Sequence, residues 1–391
     1  MVTIMKTFDD ILVRRPTLAN AYLALITSQP GRPLALFAPR RVGKTVFLNE
    51  DVTPEAKAIG FLTVYCDLWL NKQAPIEAIN HALEEALDDL LVPVSSTGKA
   101  AKTIVKKVSV MGSGVDLGDG PQRRPLPADP AFRMDALFGR LSTEHGGKVL
   151  LLLDEAQSLG AHPQGIDLIS TLRAALTKHK NKVFSILTGS SQVDLAKMFS
   201  NAGAPMYQYA QKVDFPFLGE EFLQAVSQHF TTVHPGKVIQ AEALSDLFAR
   251  LGYKPAVLRD IVKIMSTEGI VDVKKGLNLY LNDPSRIASW RSLLDSLDDL
   301  EILLLHAIAK QAQPYGKSAA ADFEKRLGVR LTPAKLRSAV DRLIKKKLIA
   351  KLDSGHVIND ETFAEYLLET QPKLMMDEGT EDETRPNSKI K

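Results

Sequence analysis

Disulfides, structural zinc and membrane spans have almost nothing to work with in this chain. Its 391 residues contain one cysteine, Cys66, so no intrachain disulfide and no CxxC metal site can form. The eight histidines show no HxxxH or HExxH spacing, which removes the common zinc-hydrolase arrangement. No apolar run approaches the roughly 20 residues of a membrane-spanning helix. The opening MVTIMKTFDD has no basic segment followed by an apolar core, so neither a secretory leader nor a membrane partner is expected. A soluble protein of a reducing compartment, the cytoplasm, is the expectation. Excess charge is lacking too: the net charge is +3 and the isoelectric point about 8.7, so charge alone does not demand a nucleic-acid partner. What remains is ordinary globular composition, 45% apolar and 24% charged, long enough for two or three domains.

Against that plain background one stretch stands out. Leu34 to Thr45 reads LALFAPRRVGKT, an apolar strand-like run followed by a loop that closes on Gly43, Lys44 and Thr45. This is the phosphate-loop pattern G-x-x-x-x-G-K-[ST], with Ala38 at the first glycine. Backbone N–H groups of such a loop, and of the helix it opens, converge on one anion and add partial positive charge. Pro39, Arg40, Arg41, Val42, Gly43, Lys44 and Thr45 are therefore candidates for holding a triphosphate. Lys44 would reach the β- and γ-phosphates, and the Thr45 hydroxyl would ligate Mg²⁺. Ala38 would cost about 1 kcal/mol if its φ had to be positive.

A second stretch supplies the complementary chemistry. Lys148 to Gln157 reads KVLLLLDEAQ, a buried strand tipped by two carboxylates. Ligands of open α/β sheets bind beyond the C-terminal strand ends, so Asp154 and Glu155 would face Lys44 if the two strands are neighbours. Asp154 would then hold the metal with Thr45, and Glu155 would orient and polarise the attacking water. Alone, the same residues would read as a strand followed by an Asp-capped helix. KVFSIL, from Lys182, is another buried strand ending in TGSS. Thr188 and Ser190 there are either γ-phosphate contacts or ordinary turn residues. Asp67, at the end of the apolar run FLTVYCDLWL, is either a strand-end cap or a group facing the site. Together these strands, with helices between, predict a parallel α/β nucleotide domain.

APRRVGKT, LLLLDEAQ, ILTGSS and the later LGYKP resemble the AAA+-related signal-transduction ATPases called STAND, in particular their archaeal-type ATPase branch. The resemblance runs from about residue 8 to 370. It implies ATP with Mg²⁺, a helical lid after the α/β core, and a C-terminal winged helix. By motif it carries Lys44 and Thr45 over as phosphate and metal residues, Asp154 and Glu155 as the acid pair, and Ser190 as a sensor position. The chain departs from the family in its arginines: none occurs between Arg173 and Arg250. Arg173 is then the remaining candidate for a finger reaching a neighbour's site in a homo-oligomer formed on ATP binding. Slow hydrolysis, suited to a switch, is the expectation. In the resembled family the Gly252-Tyr253-Lys254-Pro255 turn lies over the nucleotide, so Lys254 or Arg259 would touch phosphate. The competing reading is a helix start with a surface lysine.

The expected organisation is a core over 1–216 with a basic Gly/Pro-rich insertion at 95–130, a lid over 217–297, a winged helix over 298–370 and a disordered tail over 371–391. The insertion is either a solvated loop or a contact surface for a subunit or DNA. In the lid, helices are read at 220–230, 241–251 and 256–265. In the last folded segment a helix starts at Thr332-Pro333, and a hairpin turns at Asp353-Ser354-Gly355. Leu336, Val340 and Leu343 fall on its inner face; Lys335, Ser338, Asp341, Arg342, Lys345 and Lys346 fall on the other. Residues 301–360 hold 12 Lys/Arg against 6 Asp/Glu, a net +6 where the whole chain has +3. That concentration points to double-stranded DNA through Lys335, Ser338, Arg342, Lys345 and Lys346. The alternative is an ATP-gated protein-interaction switch, defence-related for example, in which the winged helix clamps its own chain.

Overall fold

The computed structural model describes residues 7–91, 125–189, 195, 198–199, 204–311, 316–352 and 355–370. Most of the expected basic insertion, the tail over 371–391, Ser190 and the turn residues Asp353 and Ser354 lie outside the described residues. The chain divides into two compact units, Arg14–Pro216 and a second made of Met1–Val13 with Phe217–Lys391.

The first unit is built on β1 (Leu34–Phe37), β2 (Phe61–Asp67), β3 (Lys148–Asp154), β4 (Val183–Gly189) and β5 (Gln211–Asp214). They form one sheet in the order β2-β3-β4-β1-β5, and every pairing is parallel. Parallel strands need crossovers, so both faces are covered and the strands read as continuous apolar runs. The two faces are separable residue by residue. Val149, Leu151 and Leu153 enter the core beneath α4 (Pro75–Leu91), α5 (Pro130–His145) and α7 (Gly165–Lys178). Leu150 and Leu152 enter the opposite core with α1 (Pro16–Ser28) and the helix after β1. All five are fully buried, and each such side chain stabilises by about 1.5–3 kcal/mol.

The helix after β1 begins as α2 (Lys44–Phe47), passes through a π-turn over Leu48–Val52 and continues as α3 (Thr53–Ala58). A short α6 (Gln157–Ala161) follows β3. The condition that β1 and β3 be neighbours is not met: β4 lies between them. The carboxylates of β3 therefore reach the β1 loop across the end of β4.

The second unit is helical. After Phe217 come α8 (Glu220–Val233), α9 (Ala241–Arg250), α10 (Pro255–Glu268), α11 (Val273–Leu281) and α12 (Pro284–Asp295). The last two were absent from the sequence reading. They begin where Asp272 and Asp283 accept backbone N–H groups of the first turn, which is how a carboxylate caps a helix. Next are α13 (Asp299–Ala309), α14 (Lys317–Leu327), α15 (Pro333–Lys345), the antiparallel pair β6 (Ile349–Leu352) and β7 (Gly355–Ile358), and α16 (Glu361–Glu369).

One hydrophobic core runs through all of these elements. Trp290 of α12 packs on Tyr366 of α16, ring centroids 4.7 Å apart. The N-terminal arm belongs here as well. Phe8 is buried in this core edge-on to His229 at 4.4 Å, and Arg259 donates to the Asp9 carbonyl at 2.9 Å. Among the described residues no helix is long and apolar enough to cross a membrane.

Candidate functional site

The loop after β1 is shaped by two left-handed residues. Gly43, at φ 93°, hands the chain into α2. A Cβ there would touch nothing within 4 Å, so backbone conformation rather than space calls for glycine. Arg41 also has φ 64°, which costs a side-chain-bearing residue about 1 kcal/mol. Ala38 is not among the positive-φ residues, so alanine at that point carries no backbone penalty. It is buried, as is Val42, in the core beside α1. Arg40 and Arg41 are exposed, and the Arg40 guanidinium lies 5.2 Å over the Trp69 ring.

Lys44 is only 6% exposed. Its ammonium donates to the carbonyl oxygens of Ala38 at 2.9 Å and Pro39 at 2.6 Å. Burial lowers its pKa to about 8, against the opposing pull of Asp154 and Glu155 and with a further lowering from Arg40. The charges of both β3 carboxylates therefore act on this ammonium.

Asp154 is buried and gathers four donors. Its Oδ2 accepts from Thr45 Oγ1 at 2.5 Å and from the Tyr65 hydroxyl at 3.2 Å. Its Oδ1 accepts from the Glu155 backbone N–H at 3.0 Å and from the Thr188 hydroxyl. Four donors on one carboxylate fix its orientation. Burial and then the Asp154 charge push the Tyr65 hydroxyl pKa upward, so Tyr65 stays a neutral donor. Glu155 has φ 55°, and its carboxylate accepts a hydrogen bond from the Gln157 amide.

Thr45 and Asp154 thus meet, with the Thr188 hydroxyl on the other carboxylate oxygen. Ser190 lies outside the described residues. Tyr65 and Gln157 were missed. The available signal for Tyr65 was a tyrosine two positions before Asp67 on a strand that pairs with β3.

Could these residues hold a divalent ion and phosphate? Among the described residues no group of three or more His, Cys, Asp or Glu could do so alone. The site instead pairs the Thr45 hydroxyl with the Asp154 carboxylate beside Lys44, where the loop opens α2. That is the sparse set Mg²⁺ accepts when phosphate and water supply the remaining oxygens. The residues present fit a Mg²⁺–nucleotide.

Other expected site residues lie elsewhere. Arg173, on α7, donates to the Pro205 carbonyl at 2.5 Å and stacks 4.9 Å over Tyr209. It is engaged within its own chain. Lys254 is not a surface lysine at a helix start: it is 3% exposed and ion-paired to Glu361 at the start of α16. Arg259 is occupied by the carbonyls of Asp9 and Ile11.

On α15, Leu336, Val340 and Leu343 are buried. Lys335, Ser338 and Lys345 are exposed. Arg342 bonds Glu301 at 2.9 Å and also Asp298 at 2.5 Å, and Lys346 bonds Glu301 at 2.8 Å. Two of the expected DNA contacts are therefore committed to α13. Burial would raise the Glu301 pKa, but donors from Lys346, the Asp298 backbone and Arg342 outweigh it and the net shift is downward.

No protein-family model matches the chain, and no curated protein matches it by sequence. Solved structures do match. A Walker-type ATPase of Pyrococcus abyssi is 17% identical with TM-score 0.56, covering 92% of this chain and 97% of that one. The ORC2 protein of Aeropyrum pernix in its ADP form is 15% identical with TM-score 0.51, covering 90% of each chain. At such identities the likeness establishes the fold alone: this chain shares the parallel α/β architecture of those structures.

Proposed function

We propose that this protein is an ATP-binding, Mg²⁺-dependent ATPase of the STAND type that acts as a nucleotide-driven switch. The observation that carries it is the 2.5 Å approach of Thr45 Oγ1 to Asp154 Oδ2, 109 residues apart in sequence, beside a buried Lys44. Lys44 and the loop amides hold the phosphates, and Thr45 with Asp154 holds the ion. Bound Mg²⁺ supplies charge neutralisation at the phosphate oxygens. Asp154 is oriented by Thr188 and Tyr65. Glu155 orients the attacking water and accepts its proton. Arg173 is tied to Pro205 and Tyr209, and would have to leave both to serve a neighbouring subunit, so hydrolysis by the single chain is slow.

Two variants test the site. Lys44→Ala should abolish tight ATP binding, and unchanged affinity would refute the loop assignment. Glu155→Gln should keep ATP bound and stop turnover; a normal rate would remove Glu155 from the chemistry.

The second element of the proposal is a DNA-binding winged helix formed by α13, α14, α15 and the β6–β7 hairpin. Its support is the net +6 over 301–360 and the exposure of Lys335, Ser338 and Lys345 on α15. With Arg342 and Lys346 drawn onto α13, the contact surface narrows to Lys335, Ser338 and Lys345. The competing reading, a protein-interaction switch, is favoured by the shared core and the Lys254–Glu361 pair that join this module to the preceding helices. Duplex affinity against salt, with and without ATP, separates them: a steep slope supports DNA, and absence of binding at low salt supports the interaction switch.

A further inference from the structure

We infer that Gln157 is a positioning residue that aims Glu155 at the nucleotide, with the end of β4 as its support. The inference rests on the ATPase reading above. Glu155 leaves β3 in a left-handed conformation, φ 55°, and a carboxylate on such a turn needs a partner to fix its direction. Gln157 provides it by donating its amide N–H to Glu155 Oε2. Gln157 is itself only 5% exposed, so its amide is confined.

What confines it is visible at Gly189. A Cβ built there would lie 2.5 Å from Gln157 Oε1 and 3.2 Å from Leu195 Cδ2. Gly189 is not among the positive-φ residues, so its missing side chain serves space, not backbone conformation. The neighbouring residue holds the rest of the turn. Thr188 accepts the Ala156 N–H on its carbonyl at 2.8 Å and donates its hydroxyl to Asp154. Two consecutive β4 residues therefore govern both carboxylates: Thr188 grips Asp154 directly, and Gly189 leaves the slot from which Gln157 grips Glu155. Glu155 held this way follows directly on Asp154, whose carboxylate meets Thr45 where the β1 loop opens α2.

The experiment is steady-state ATP hydrolysis with ATP affinity measured in parallel on the full chain. Gln157→Leu keeps the volume and removes the donor. It should lower kcat about 10- to 100-fold, the scale expected when a general base loses its orientation, with ATP affinity within about twofold. Gln157→Glu keeps the shape and puts a carboxylate where the amide donor was, so it should lower kcat as Gln157→Leu does, again with ATP affinity within about twofold. A packing role alone would spare this near-isosteric variant. Should Gln157→Leu fail to fold, Gly189→Ala displaces the amide without altering it and should give the same kcat loss. Wild-type kcat in Gln157→Leu and Gly189→Ala, or ATP affinity falling in step with kcat, would overturn the inference. Glu155→Gln separates the two failures: if it is inert while Gln157→Leu is normal, only the positioning role falls; if it turns over normally, the assignment of the base falls with it.

Discussion

Alkaline pH should weaken nucleotide binding through a single group, Lys44. Its pKa of about 8 means the ammonium is about nine-tenths charged at pH 7 and about one-tenth charged at pH 9. A triphosphate placed against it favours the charged form and lifts the pKa well clear of this range. Binding at pH 9 must then take up close to one proton, and binding at pH 7 almost none. The association constant should fall about tenfold between the two, or ~1.4 kcal/mol. Titration calorimetry at pH 7, 8 and 9, in two buffers of different ionisation enthalpy, reads both the affinity and the protons. Lys44→Arg is the control, because a guanidinium does not titrate here and the slope should vanish. Folding gives an independent check of sign. A lysine with a lowered folded pKa binds fewer protons folded than unfolded, so its contribution to stability rises as pH climbs from about 8 to 10.5. A wild-type affinity unchanged from pH 7 to 9, or a Lys44→Arg slope as steep as wild type, would refute the reasoning.

Three further outcomes concern the second unit. His306 of α13 is 4% exposed, and its Nδ1 has no hydrogen-bond partner among the described residues. Burial lowers its pKa to about 4, so it contributes full stability above about pH 6.5 and loses it as pH falls toward 4, by up to ~3 kcal/mol. Urea midpoints at pH 7 and 5 should differ less in His306→Leu than in wild type. Glu361→Gln strips a buried Lys254 of its carboxylate. Breaking a buried pair costs about 3–5 kcal/mol, but Glu361 keeps 28% side-chain exposure and Asp360 remains near, so about 2 kcal/mol is expected. The double variant Lys254→Met with Glu361→Gln should recover much of it, as a thermodynamic cycle would show. On α15, Lys335→Ala with Lys345→Ala should weaken duplex binding and leave the urea midpoint alone. Arg342→Ala should lower the midpoint by about 1–2 kcal/mol, because Glu301, 1% exposed in its side chain, loses a donor. Equal stability effects from the two sets would contradict this division.

Much of the candidate site was legible because its signals are short-range. A glycine that must be left-handed, a lysine and a hydroxyl follow one another in the chain, and the two carboxylates are adjacent. The groups that finish the site depend on strand order, which no local pattern states. Thr188 grips Asp154 because β4 adjoins β3, and Tyr65 does so because β2 adjoins it on the other side. Strand tips do not reveal that the Thr188 hydroxyl turns onto Asp154. On α15 the 3.6-residue period separated buried from exposed faces correctly. It could not see that a buried glutamate some forty positions earlier would draw Arg342 and Lys346 sideways. The helices α11 and α12 were missed for want of a strong apolar stripe, although their caps, Asp272 and Asp283-Pro284, are start signals in their own right.

Because residues 7–13 are stitched to α8 and α10 by Phe8 and Arg259, the polypeptide passes between its two units twice, near Val13 and near Pro216. A protease nick at the later crossing would leave the halves tethered by the amino-terminal strap. A fragment beginning at Arg14 would retain every residue of the loop between β1 and α2, and its damage would fall on the helices that strap pins.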